Sequence, residues 1–500
     1  MKIAGKNPIT ELDYPDPDVI RVDDTYYMVS TTMHFMPGCE ILRSYDLIHW
    51  EHLSYVYERL DSTEEQRLVG EKNCYGKGMW AASLRYHKGM YYICFVANDT
   101  GKTYLYTADD IEGPWEKRII EGFYHDCSLL FEDDHVYIVS GNRNVRLQEL
   151  KKDLGGPKEG GLDRILVSDS RNPGLGFEGS HFYKINGMYY LFLIHSLPDR
   201  WMRTQACYVS DSLTGEFRGG DVLCDTMGYC GQGVAQGGIV DTPDGKWYAM
   251  LFQDSGAVGR IPILLPVTWK DHFPVFGQNG HVPEEIEVHS TRPGYIYQPL
   301  VGSDDFCNGL LPRWQFNHDP DPRYYHLDAL QGTYTITTRE VCTELTQAVN
   351  TLTQRMSYPS CAAEVTVDAS ALKEGDVAGL CALQSCYAAV GITKHHGKYE
   401  VLMLDKKEDG ILDMTEGTVV ESHQMDFRLE ADFCNMKDEA RCYYRVNKGD
   451  WLPIGTVHKL YFKLDHFTGC RFGLFCYAAE ETGGSACFRD FKYYDVDEIS

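Results

Sequence analysis

Five segments of the N-terminal 300 residues each open on a residue able to do chemistry or to hold a substrate: Asp16, Trp80, Asp126, Glu178 and Gln236. Each heads the same pattern: an apolar run, a turn on Asp or Gly, and an aromatic strand. The second aromatic falls 11 or 12 residues after the head, at Tyr27, Tyr92, Tyr137, Tyr190 and Tyr248. Three of the five heads are carboxylates. Grouped acids repel and shift one another's pKa, so packing alone would not select them at equivalent positions. Glycosidic-bond hydrolysis uses such a group: one protonated acid donates to the leaving oxygen, and one carboxylate activates water or attacks the anomeric carbon. Glu178, with the longer side chain, suits the donor. Asp16, framed by Pro15 and Pro17, suits a fixed base, and Asp126 can orient the donor and raise its pKa.

The elements that must position these heads are hairpins. In FEGSHFYKINGMYYLF, from Phe177 to Phe192, Asn186-Gly187 is a two-residue turn between two strands. The second aromatics are spaced 65, 45, 53 and 58 residues apart, and a period near 50 built of short antiparallel strands marks a β-propeller blade. Five units predict five blades, with pieces such as CEILRSYDLIHWEHL and KTYLYTADDIEGPWEKR as outer strands. The rival reading, a β-sandwich with similar hairpins, does not account for five matching offsets. In a propeller the first strand of each blade lines the channel, so the five heads converge on one mouth. Blades 1 and 4 are not neighbours in a ring of five. Asp16 and Glu178 then face each other across roughly 6.5–9.5 Å, the inverting arrangement with room for a water.

At 500 residues the chain exceeds one ordinary core. It is 43% hydrophobic and 24% charged, as soluble globular proteins are, and its 34 tyrosines and 47 glycines favour strands and tight turns. A net charge of −26 repels nucleic acid and anionic membranes and leaves neutral molecules such as oligosaccharides as the easiest partners. The N-terminus has no apolar stretch of signal-peptide length. The 17 cysteines show no CxxC spacing, so they read as reduced thiols of a cytoplasmic protein, without a zinc site.

On these residues the chain resembles glycoside hydrolase family 43, the β-xylosidase and α-L-arabinofuranosidase family of five-bladed propellers. NPITELDYPDPDVIRVDDTYYMVST is similar to the family's opening and implies Asp16 as general base. Asp18 in the same motif is then a structural partner, and Asp23, Asp24, Asp133 and Asp134 are turn residues. HDCSLLFEDDHVYI implies Asp126 as the pKa-modulating acid, and FEGSHFYKINGMYYL implies Glu178 as the general acid. PDGKWYAMLF followed by Gly259-Arg260 resembles the fifth blade with a substrate-contacting arginine, here Arg260. Phe35, in TTMHFMPG, and Trp80 are the candidates for stacking on a sugar. Many members carry a His at the channel position of blade 5, sometimes on a central metal. Gln236 stands there in this chain, with Gln232 as the other candidate, so no metal is expected to be required. The resemblance further implies inversion and no redox or organic cofactor.

After STRPGYIYQPL the repeat stops. From Ser303 a Pro-rich polar stretch leads into alternating runs such as GTYTITT and CAAEVTVDA, which read as a β-sandwich. The chain thus divides into a propeller over residues 1–300 and an accessory sandwich over 301–500, all-β throughout. Branches of the resembled family append a concanavalin-like sandwich of this kind. Three roles for it stay open: binding polysaccharide, holding a structural calcium through acids such as Asp304 and Asp305, or bracing the propeller. In the last case a loop closes over the mouth with Phe467 of HFTG, and a closed pocket makes the enzyme exo-acting. The expected activity is removal of terminal β-D-xylosyl or α-L-arabinofuranosyl units from short oligosaccharides. The alternatives are an endo-acting arabinanase or xylanase with an open groove, and a non-catalytic sugar-binding propeller, which would lack one of the three acids. A retaining, fructan-cleaving invertase type would show a WMNDPNG-like opening and an Arg-Asp-Pro segment, and neither is present.

Overall fold

In the computed structural model, which describes residues 1–495, four of the five hairpins turn on two residues. The first of the two is left-handed each time: Asp23 (φ 53°), Lys88 (50°), Asp133 (50°) and Asn186 (49°). At Asn186-Gly187 both turn residues are left-handed and Ile185 pairs with Met188, the type I′ geometry that matches strand twist. Each repeat becomes a four-stranded antiparallel sheet whose strands follow chain order, spanning 18–57, 79–120, 128–168, 178–223 and 234–276. These are blades 1 to 5. Their first strands, Asp18–Val22, Met79–His87, Ser128–Glu132, Glu178–Ile185 and Val234–Asp241, form a ring in which the fifth touches the first.

Two kinds of contact close that ring. Five apolar clusters lie between consecutive blades, so each sheet buries both faces. Around the channel, side chains of one blade accept backbone donors of the next. Asp18 accepts from Leu84 N–H (2.8 Å), Ser83 from Leu129 N–H (3.1 Å), Ser128 from Phe182 N–H (2.9 Å) and Gln205 from Gln236 N–H (2.7 Å). Buried backbone donors need such acceptors. Arg21 of blade 1 pairs with Asp241 of blade 5, and the strand Lys2–Lys6 lies antiparallel on Glu285–His289. Asp18 also pairs with Arg85 at 2.7 Å, so its role is structural.

The second domain packs two antiparallel sheets over one apolar core that includes Trp314, Tyr334, Phe427, Phe472 and Phe488. One sheet ends in an element of the propeller: Phe35–Met36, from the loop inside blade 1, pairs with Gln315–Asn317. The sequence division at residue 300 therefore falls in a connector, but one short strand crosses it, and residues 496–500 of the second range lie outside the described residues. The seam also holds a buried ion pair. Arg355 of the sandwich lies 2.9 Å from Glu40 of blade 1, which His52 contacts at 3.0 Å. Burial pushes the Glu40 carboxyl up, but Arg355 and His52 outweigh it and hold it at about 2. Of the acids considered as calcium ligands, Asp304 accepts from Phe306 N–H (2.7 Å) and Trp314 Nε1–H (2.8 Å), and Asp305 from Cys307 N–H (2.9 Å).

Candidate active site

Each blade reaches one mouth of the channel through a left-handed residue: Asp16 (φ 53°), Ala81 (30°), Asp126 (48°), Gly179 (66°) and Gln236 (61°). In blades 2, 4 and 5 that residue sits in a β-bulge, where the pairing register skips. Bulges re-aim side chains, and a left-handed non-glycine residue costs about 1–2 kcal/mol, so strain gathers where the heads converge. Glycine at 179 relieves two strains. Its φ is positive, and a Cβ there would lie 2.8 Å from Gln236 Cγ and Cδ.

Asp16 is 6% exposed. Its carboxylate accepts from Thr31 Oγ1 (2.6 Å) and from Arg260 Nη1 (2.9 Å), two donors that fix its aim. Thr31 Oγ1 in turn accepts Ala81 N–H at 2.8 Å, joining blades 1 and 2 behind the base. Asp126 accepts Gly179 N–H at 3.0 Å. Burial, with Glu178 and Asp16 nearby, raises its carboxyl to about 6 against the pull of His125 and the Gly179 amide. Glu178 accepts from Asn142 Nδ2 at 2.7 Å and keeps 16% of its side chain exposed. His125 Nε2 lies 3.5 Å from Glu178 and 3.6 Å from Asp126. Asp126 raises the imidazole most, burial opposes, and Glu178 adds, placing it at about 9.

Aromatic rings wall this mouth. The Trp80 ring lies 6.1 Å from His125 and 5.5 Å from Phe467, which arrives from the sandwich. The Arg260 guanidinium sits 4.2 Å from the Phe467 ring centroid. Asp13 ties both together, accepting Arg260 N–H (2.7 Å) and Gly469 N–H (2.8 Å). Among the described residues Trp80 Nε1 is buried and has no protein acceptor. Three carboxyls gathered beside aromatic rings are the groups that acid–base hydrolysis of a glycosidic bond uses.

Asp16, Asp126, Glu178, Trp80, Arg260 and Phe467 thus belong to one contact network, whereas Phe35 and Gln236 take other places. Phe35 is not in it: its ring is 2% exposed, packed with sandwich residues such as Leu345 and Tyr387 under the Arg471 guanidinium at 3.5 Å. No face is left for a sugar. Arg260, expected on substrate hydroxyls, gives Nη1 to Asp16 and lies beside the Phe467 ring, while its Nε has no partner among the described residues. Gln236 does occupy the blade 5 channel position, but it is 4% exposed and backs Gly179. Gln232 lies outside the strand and accepts from Gln253. Sequence reading missed His125, Asn142 and Thr31. His125 adjoins Asp126 and could have been flagged, whereas the other two carry no local signal because their contacts cross between segments.

Residues 5–274 match the glycosyl hydrolases family 43, and residues 303–494 match the beta xylosidase C-terminal concanavalin A-like domain. The chain belongs to family 43. It is a glycoside hydrolase. A beta-xylosidase of Formosa agariphila is 26% identical over 98% of this chain and 89% of its own length. A non-reducing end alpha-L-arabinofuranosidase of Bacteroides ovatus is 26% identical over 82% of this chain and 80% of its own. Among solved structures, a bifunctional GH43-CE protein of Bacteroides eggerthii superposes with a TM-score of 0.92 at 42% identity over 99% of this chain. This chain spans 64% of that one. As a family 43 glycoside hydrolase, the protein acts on carbohydrate, and its two matched ranges meet at Phe467 and Arg260.

Proposed function

We propose that this family 43 enzyme is an inverting exo-glycosidase that removes terminal β-D-xylosyl or α-L-arabinofuranosyl units from short oligosaccharides. Glu178 protonates the leaving oxygen, Asp16 activates water, and Asp126 orients and tunes Glu178. The observation that carries the reading is the junction of Asp16, Arg260 and Phe467. The base is held by an arginine whose other face is covered by a ring from the second domain, and a mouth roofed in this way favours chain ends over chain interiors. The relatives named beta-xylosidase and alpha-L-arabinofuranosidase support the two sugars, which present similar hydroxyl patterns. Rates on 4-nitrophenyl β-D-xylopyranoside and α-L-arabinofuranoside decide between them. On the preferred sugar, Glu178→Ala is expected to lose about 100-fold or more in kcat on an oligosaccharide and much less on the aryl glycoside, whose leaving group needs no proton. Equal losses on both would remove Glu178 from the donor role.

A further inference from the structure

The donor side of the mouth carries an aromatic ring with no part in the acid–base chemistry. On blade 4 Glu178 pairs with Ile194, and Ile194 with Gln205. The last two strands run on past this row to the pair Ser196 and Arg203, where Leu197 to Met202 joins them. That connection is closed by Leu197 N–H, which donates to the Met202 carbonyl at 3.1 Å. It therefore projects from the mouth on the blade that holds Glu178, and it carries Trp201. Alone of the eight tryptophans, Trp201 is exposed, at 56%. We propose that Trp201 is the platform on which the leaving sugar stacks, selecting a neutral pyranose on the far side of the scissile bond. The proposal rests on Glu178 being the proton donor, because the leaving oxygen lies against the donor.

A single exposed ring by itself carries nothing, since large apolar side chains are commonly left on surfaces. Two further features set this one apart. The first is its support. The Arg203 guanidinium lies 5.5 Å from the Trp201 ring centroid and is itself buried, with Nε on Asp254 at 2.6 Å. The same guanidinium lies 5.5 Å from the Phe252 ring, and Arg260, which holds Asp16, lies 5.3 Å from that ring. Trp201 is thus tied to the base through Arg203, Phe252 and Arg260. A ring held in place loses little freedom when a ligand stacks on it. The second feature is where the mouth opens. Asp16 and Arg260 are buried, with the Phe467 ring over that guanidinium, whereas part of Glu178 stays exposed. The base side is covered and the donor side meets solvent, which is the way out for the rest of the substrate. A pyranose offers an apolar face of C–H groups that an indole covers, while its hydroxyls stay in water.

Trp201→Ala and Trp201→Phe are measured on a disaccharide and on the methyl glycoside of the same terminal sugar. Both substrates need a protonated leaving oxygen, but only the first has a leaving ring. An aryl glycoside would not serve, since its own ring can stack. The ratio of kcat/KM, disaccharide over methyl glycoside, is expected to fall about tenfold in Trp201→Ala, chiefly through KM. In Trp201→Phe it should stay within about threefold of wild type. An unchanged ratio in Trp201→Ala, or a Trp201→Phe as poor as Trp201→Ala, would overturn the proposal. Glu178→Ala separates two failures. Equal losses there on oligosaccharide and aryl glycoside sink the donor assignment, and with it the side on which the leaving sugar lies. A Glu178→Ala that behaves as a lost donor, beside an unchanged ratio in Trp201→Ala, sinks only the platform.

Discussion

Burial and two neighbouring carboxylates hold Asp126 near 6, against 3.8 for a free aspartate. A carboxyl raised on folding stabilises fully below its unfolded pKa, and that contribution is lost as pH rises through the folded value. The window here is about pH 4 to 6, so at pH 7 the ionised, buried Asp126 costs stability. Asp126→Asn should therefore melt higher than wild type at pH 7, by roughly 1–3 kcal/mol of unfolding free energy, and no higher at pH 4. Its kcat should fall at least about tenfold. Thermal melts at the two pH values with parallel rates check this. At this scale the three acids were legible because they recur at one offset in a repeat. His125 and Asn142 were not, since their relation to Glu178 exists only once blades 3 and 4 are adjacent. Phe35 misled because an aromatic in a loop after the first hairpin looks the same whether it faces a sugar or a second domain.

The hairpins and the bulges behave differently as elements. Asn-Gly and Lys-Gly pairs announce their turns, so blade count and strand pairing could be read directly. The bulges that swing Trp80, Glu178 and Gln236 to the mouth leave no mark in the alternation, because both faces of every blade are apolar and a skipped residue breaks no pattern. Gly179 is where this matters most, since its amide holds Asp126 and its missing side chain admits Gln236. Gly179→Ala is expected to lower kcat at least tenfold and to cost about 1–3 kcal/mol, through left-handed strain and the Gln236 contact. Activity and denaturant midpoints measured together test it, and wild-type values for both would show that the bulge tolerates a Cβ.

Across the whole molecule, the site is finished only where the domains meet. Alternating runs after residue 300 foretold a sandwich, but not that Phe35–Met36 joins its sheet or that Phe467 covers Arg260, because contacts between distant segments leave no periodicity. The Glu40–Arg355 pair fixes this seam. Arg355→Met would leave Glu40 buried without its main counter-charge, which typically costs about 3–5 kcal/mol. The wild-type pair contributes stability above pH 4.5, lost as pH falls toward about 2, because Glu40 is depressed on folding. In Arg355→Met that acid dependence should shrink, as urea midpoints between pH 3 and 7 would reveal. In the proposed reaction Asp16 directs water to the face of the sugar opposite the bond that Glu178 protonates. Proton NMR of the first-formed anomer during cleavage of an aryl β-D-xylopyranoside tests it most directly, or of the α-L-arabinofuranoside if that is the substrate. Inversion releases α-xylose or β-arabinofuranose first, followed by mutarotation. Initial release of the retained anomer would contradict it.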